Sequence, residues 1–146
     1  MSRLPILLLP LVVFCLLSGC CTLPGQGPPC PDLTGTWTLV SYSGGNGSMI
    51  PVPPESQITA VFGEDSRVSG NAGCNDYAGS YRIEGGLISI GSLISTEKYC
   101  LWPEGVMERE GIYLSLLQES TRFNVNLDEL ELSYYDEKLL LLFRRA

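Results

Sequence analysis

Six cysteines and no histidine define the chemistry open to this chain. Without an imidazole, no Ser–His or Cys–His pair can activate a nucleophile. A zinc site would have to use thiols and acids alone, and no CxxC spacing occurs. A Ser–Lys dyad would fall to Lys98 or Lys138, and neither lies in a recognisable motif. Glu108 and Glu110 are two residues apart on a predicted helix and point to nearly opposite sides. Glu64 and Asp65 share a predicted turn, where solvated acids are ordinary. Neither pair resembles the opposed carboxylates of a glycosidase. The glycines between 70 and 79 lack the spacing of a phosphate loop or a dinucleotide fingerprint. The expectation is a chain with no catalytic residues, no bound metal and no cofactor, and therefore not an enzyme.

The chemistry that remains belongs to the cysteines at 15, 20, 21, 30, 74 and 100. Residues 4–17, LPILLLPLVVFCLL, follow Arg3 and read as the apolar core of a signal peptide. They lead into Leu17-Ser18-Gly19-Cys20, which resembles the lipobox of bacterial-type lipoproteins. Small residues admit the peptidase to the backbone, and the Cys20 thiol receives the lipid. Cys21 is the poorer acceptor, because Cys20 would then fill the small position before cleavage. The rival reading is an uncleaved anchor, since the apolar stretch extended to Leu23 approaches the about 20 residues a span needs. Either reading puts the rest of the chain outside the cytoplasm, held to the membrane or envelope.

Only Arg3 of the nine basic residues precedes Cys20, so eight basic residues face sixteen acids in the remainder. That charge repels nucleic-acid backbones, and no basic stripe offsets it. Three divisions follow: a signal peptide at 1–19, a lipidated Pro-rich tether at 20–32, and a folded domain at 33–146. Three of the tether's prolines, Pro28, Pro29 and Pro31, fall within four residues, which favours an extended, semi-stiff spacer. Four cysteines survive signal removal and lipidation: Cys21, Cys30, Cys74 and Cys100. They permit three full pairings.

The domain must be built mostly from strands. Residues 36–42 are rich in β-formers, and 58–62 alternate with Ile58, Ala60 and Phe62 on one face. Glu64-Asp65-Ser66 turns the chain into 67–70, and Glu84-Gly85-Gly86 joins strands at 79–83 and 87–90. Residues 44–54, with three glycines and three prolines, read as a long loop that carries an Asn46-Gly47-Ser48 glycosylation triplet. From 103 to 119 the period becomes helical, with Val106, Met107, Tyr113, Leu114 and Leu117 recurring, and Pro103 and Glu104 suit its start. Phe123, Val125 and Leu127 then alternate with polar residues, as do Leu130, Leu132 and Tyr134. The run 138–143 fits a strand buried on both faces. The fold class is α+β: a curved, mostly antiparallel sheet with one main helix against it.

Two features of this layout bear on a site. On a wheel of about 100° per residue, Glu110 falls in the middle of the helix's apolar stripe, between Leu117 and Leu114, whereas Glu108 and Arg109 fall outside it. A carboxylate placed there is costly unless hydrogen-bonded. The expected donors lie around Gly73 to Tyr77, or at Thr96. In that stretch Gly70 and Gly73 permit tight backbone geometry, the Asn75 amide satisfies buried backbone groups, and Tyr77 and Tyr81 are half-buried strand residues. The structural reading outweighs a contact surface for this stretch. Trp102, beside Pro103, is expected to plug the core.

The stretch Ser69-Gly70-Asn71-Ala72-Gly73-Cys74-Asn75-Asp76-Tyr77-Ala78-Gly79-Ser80-Tyr81 resembles the META domain, or HslJ-like, family. Ser95-Thr96-Glu97-Lys98-Tyr99-Cys100 and Val106-Met107-Glu108-Arg109-Glu110 match it in the right order. So do Leu33-Thr34-Gly35-Thr36-Trp37 at the start and Leu140-Leu141-Leu142-Phe143 at the end. The resemblance covers residues 33–143. It implies a compact α+β fold, often on a lipoprotein anchor, with no established catalytic activity and associations with the bacterial envelope and stress responses. Cys74 and Cys100 are the family-matched pair, and an oxidising compartment favours a bond between them over two buried thiols in contact. The expected function is that of a lipid-anchored accessory domain supporting envelope integrity or stress tolerance through contacts with an envelope protein. A module inhibiting an envelope-attacking hydrolase is the alternative, and a thiol-active enzyme the remote one. An exposed apolar or tyrosine patch would favour either binding role.

Overall fold

The computed structural model describes residues 32–146. The expected signal peptide, the lipidation of Cys20 and the tether ahead of Asp32 lie outside the described residues.

The chain opens with β1 (Gly35–Ser43), in which Trp37 and Leu39 turn inward between Thr36, Thr38 and Val40. β2 (Met49–Pro51) pairs with the end of β1, Ser41 facing Pro51 and Ser43 facing Met49. A strand thus stands inside what reads as loop from its glycines and prolines. β3 (Thr59–Phe62), β4 (Arg67–Asn71), β5 (Asp76–Glu84) and β6 (Leu87–Ile90) follow as an antiparallel meander. β7 (Ile94–Ser95) adds a short pairing to β5. Helix α1 (Val106–Glu119) comes next, then β8 (Arg122–Asn126), β9 (Glu129–Ser133) and β10 (Leu139–Arg145).

Hydrogen bonding runs in the order β10-β9-β8-β6-β5-β4-β3-β1, and β10 also pairs with β1, with Trp37 facing Arg145 and Leu39 facing Phe143. The expected curved sheet is therefore closed: eight antiparallel strands form a barrel, with β2 and β7 appended. Closure follows from the apolar run 139–143, which has a partner on each edge, β9 and β1. Leu141 and Phe143 are fully buried, and Leu140 is buried as well, at a register shift between Leu139 and Leu141. A barrel has no unpaired edges of its own, so a small domain avoids the aggregation hazard of an open sheet.

The two ends of the barrel differ. At one, the chain comes in through Leu33 and Gly35, beside Phe62 and the turn into β4. Here Trp37 donates its indole N–H to the Leu33 carbonyl at 2.8 Å, and the Arg145 guanidinium lies 4.3 Å from the Trp37 ring centroid. At the other end β3 begins, β4 turns into β5 and β6 finishes. Helix α1 lies across this end, with Val106, Glu110, Tyr113 and Leu117 as its buried stripe. Tyr113 packs edge-on against Phe143 and Tyr77, so the helix reaches strands on opposite sides of the barrel. The helix begins at Val106, after Gly105, later than Pro103, because the chain from 99 to 105 is committed to a separate loop. It ends where Ser120 leaves helical geometry, its hydroxyl donating to the Leu116 carbonyl.

Candidate functional site

The turn between β4 and β5 is where the sequence motif, the helix and the cysteines meet. Gly70 is required there by close approach: a Cβ would run into the Thr59 carbonyl of the neighbouring strand. Gly73 has φ +117°, a conformation L side chains rarely adopt, and a Cβ there would press on Val106 of the helix. The Asn71 side chain accepts the Gly73 N–H at 2.9 Å, and the Asn75 carbonyl accepts the Ala72 N–H, which tightens the turn.

Into this turn the helix projects Glu110, only 6% exposed. Its Oε2 accepts the backbone N–H of Cys74 at 3.2 Å and of Asn75 at 2.7 Å, and its Oε1 accepts the Asn75 amide at 2.8 Å. Every bond the carboxyl receives here comes from an N–H donor. Asn75, 2% exposed, then carries the network onward. Its second amide hydrogen goes to the Lys98 carbonyl at 3.0 Å, and its Oδ1 accepts the Thr96 hydroxyl and the Lys98 N–H, each at 2.7 Å. The amide thus uses both donors and both lone pairs. Thr96 therefore bonds Asn75 and the backbone of Asp76 but does not reach Glu110. Asp76 sits exposed at the rim, where the Asn71 amide first, and then the Lys98 ammonium, hold its carboxyl below the usual carboxylate range.

Beneath the turn Tyr77 and Tyr113 share a hydrogen bond of 2.7 Å between their hydroxyls, and Tyr77 donates to the Thr59 carbonyl at 3.0 Å. Burial pushes both phenols above their ordinary value. Tyr81 is also buried, its hydroxyl donating to the Gly63 carbonyl at 2.8 Å near the opposite end. The two tyrosines that read as half-buried strand residues are thus core members with satisfied hydroxyls.

Cys74 and Cys100 are joined as a disulfide across 26 positions, with Cα atoms 5.9 Å apart. The bond fastens the turn to the loop that precedes α1. Beyond it the chain behaves unlike a core segment: Tyr99 is 79% exposed, Leu101 82% and Trp102 75%. Trp102 is therefore not the expected plug. Its neighbour Cys100 is instead the residue of this loop that is bonded to the barrel, through Cys74. Ile94, 73% exposed, lies on the preceding segment. The signal available in the sequence was the cluster Tyr99-Cys100-Leu101-Trp102-Pro103, apolar yet without helical or strand period.

Gly70, Gly73, Asn75, Tyr77, Glu110, Cys74 and Cys100 thus form one assembly, and Cys20 lies outside the described residues. The assembly's donors and acceptors are spent on one another, and Glu108 and Arg109 face away from it, Arg109 donating to the Glu104 carbonyl. Among the described residues no group of three or more His, Cys, Asp or Glu could hold a metal ion. A separate open groove of about 570 Å³ runs between the outer side of α1, at Gly111, Ile112 and Ser115, and the chain at Gly44, Gly45 and Ile50.

The family model of the META domain matches residues 31–146. The chain belongs to the META domain family. This META domain is also similar to solved structures. One is the NMR structure of a protein from Burkholderia xenovorans, 27% identical, covering 87% of this chain and 99% of that one with a TM-score of 0.64. Another is the crystal structure of a duf4847 family protein from Bacteroides vulgatus, 13% identical, covering 77% of this chain and 93% of that one with a TM-score of 0.55. The latter likeness concerns the fold alone. No curated protein matches the chain.

Proposed function

We propose that this META domain is a lipid-anchored, extracytoplasmic accessory module that supports envelope integrity or stress tolerance by docking an envelope protein through residues 99–102. The observation that carries the reading is the display of Tyr99, Leu101 and Trp102, all more than 70% exposed, on a loop fastened by a disulfide. Large aromatic side chains on a pre-ordered loop bind with little further loss of conformational freedom. The position of the loop supports it as well. The loop lies at the helix end of the barrel, while the chain comes in at the other, so a domain tethered through its N-terminus presents the loop away from its anchor. Arg3, the apolar stretch 4–17 and Leu17-Ser18-Gly19-Cys20 support that anchor.

A photoreactive amino acid placed at Tyr99 or at Leu101 in living cells tests the docking. Discrete adducts with an envelope protein are expected from both positions and not from Asn124 on the outer face of β8. If the loop positions give no more adduct than Asn124, docking through this loop is wrong. The same protruding loop also favours the second reading, inhibition of an envelope-attacking hydrolase. In that case the photo-adduct is the hydrolase itself, and a Leu101→Asp variant no longer slows its activity.

A further inference from the structure

We propose that the Cys74–Cys100 bond is a redox clasp on the docking loop: its reduction by an external dithiol releases residues 99–104 while the barrel, the helix and residues 96–98 stay in place. The inference rests on the docking role proposed above and names how that role is controlled.

Two separable fastenings hold the segment between β7 and α1. The first is the polar network of Asn75, Glu110 and Thr96. It is buried, contains no sulfur, and reaches along the segment only as far as the backbone of Lys98. The second is the disulfide, the covalent link between the loop's tip and the barrel. Past Lys98 the tip has little else. The Cys100 N–H points at the Met107 thioether at 3.5 Å, a weak acceptor, and the Pro103 and Glu104 carbonyls bond only the start of the helix and Arg109. The three large side chains of the tip are in solvent, so no apolar burial retains them. The sulfur link therefore decides where Tyr99, Leu101 and Trp102 stand, and the network decides whether the barrel and helix stay together.

The two sulfurs also differ in access. Cys74 is buried, whereas Cys100 is part-exposed. An external thiolate attacks the Cys100 sulfur, the bond to Cys74 breaks, and Cys74 leaves as a thiolate that takes up a proton. The second thiol of the reductant, as its thiolate, then attacks the mixed disulfide and releases Cys100. Two electrons pass to the pair, and the dithiol ends as a disulfide. The reductant is a dithiol protein or small molecule of the compartment.

The test uses the mature chain labelled with 5-fluorotryptophan, oxidised, reduced with dithiothreitol, and as the Cys74→Ala/Cys100→Ala variant. Trp37, fully buried, reports the barrel, and Trp102, 75% exposed, reports the loop. Reduction should sharpen and shift the Trp102 fluorine resonance, leave that of Trp37 in place, and raise chymotryptic cleavage after Tyr99 and Leu101 roughly tenfold through local opening. The double variant should match the reduced protein, and reoxidation of the wild type should restore the slow rate. An unchanged Trp102 resonance with unchanged cleavage overturns the proposal, because the tip is then held by something else. Collapse of both resonances in the reduced protein and the variant overturns it too, because the bond then holds the whole fold. A tip that loosens as expected in a protein giving no photo-adducts from Tyr99 upholds the clasp and removes the docking role.

Discussion

Glu110 takes its donors from two consecutive residues of a different element, and this has a cost if the carboxylate is removed. Glu110→Ala leaves the Cys74 and Asn75 N–H groups and one amide hydrogen without their acceptor in a buried site. Thermal or urea melting should show a loss of about 3 kcal/mol or more, against within about 0.5 kcal/mol for the exposed Glu108→Ala. Equal losses for the two would mean that the turn is held some other way. The buried phenols make a second prediction. A tyrosine held above its ordinary value stays neutral in the fold while the unfolded chain ionises near about pH 10. The stability from Tyr77 and Tyr113 is therefore complete below that pH and falls as the pH rises toward the folded values. In an ultraviolet titration of tyrosinate, Tyr77 and Tyr113 should ionise only with unfolding. Seven phenols titrating together near their ordinary value would contradict the buried pair.

At the scale of elements, α1 shows both what the sequence conveys and what it withholds. Its period places Val106, Tyr113 and Leu117 on one face, and the fold buries those three. Gly111 lies on the opposite side, where a Cβ would meet nothing within 4 Å. Gly111→Ala should therefore stabilise the protein by about 0.5–1 kcal/mol through helix propensity alone, seen as a higher melting temperature. A lower one would show that the outer side of the helix is packed. The strands were legible wherever residues alternate, as in 58–62 and 122–126, because each such strand has a wet face and a dry face. The Cys74–Cys100 pair was legible from the family motif. Three things were not. β2 hides among prolines and glycines because three residues at the end of β1 need little propensity to recruit it. Barrel closure depends on pairing between residues about a hundred positions apart, which no local pattern encodes. The exposure of Trp102 follows from the loop's place outside the barrel, which its apolar composition does not reveal.

At the scale of the whole molecule, the proposed anchor and the two barrel ends belong to one argument. If Cys20 carries the anchor, as proposed, intact mass of the membrane-extracted protein should show loss of residues 1–19 and a gain of acyl mass at Cys20. A species retaining Met1, or lacking lipid, would remove the anchor and with it the argument that the loop faces away from a membrane. The pairing of β1 with β10 reaches further. The strand that completes the barrel is the last of the domain, and its partner is the first, with Trp37 facing Arg145 and the Ala146 N–H bonded to the Thr36 carbonyl. Until Leu139–Arg145 has been made, the edge of β1 that faces away from β2 and β3 has no partner, and the meander stays an open ribbon. Such non-local closure is slow to form. A chain still emerging from a ribosome therefore cannot close its barrel before its last strand is made. The connectivity that seals the barrel also postpones sealing until the whole domain has been made.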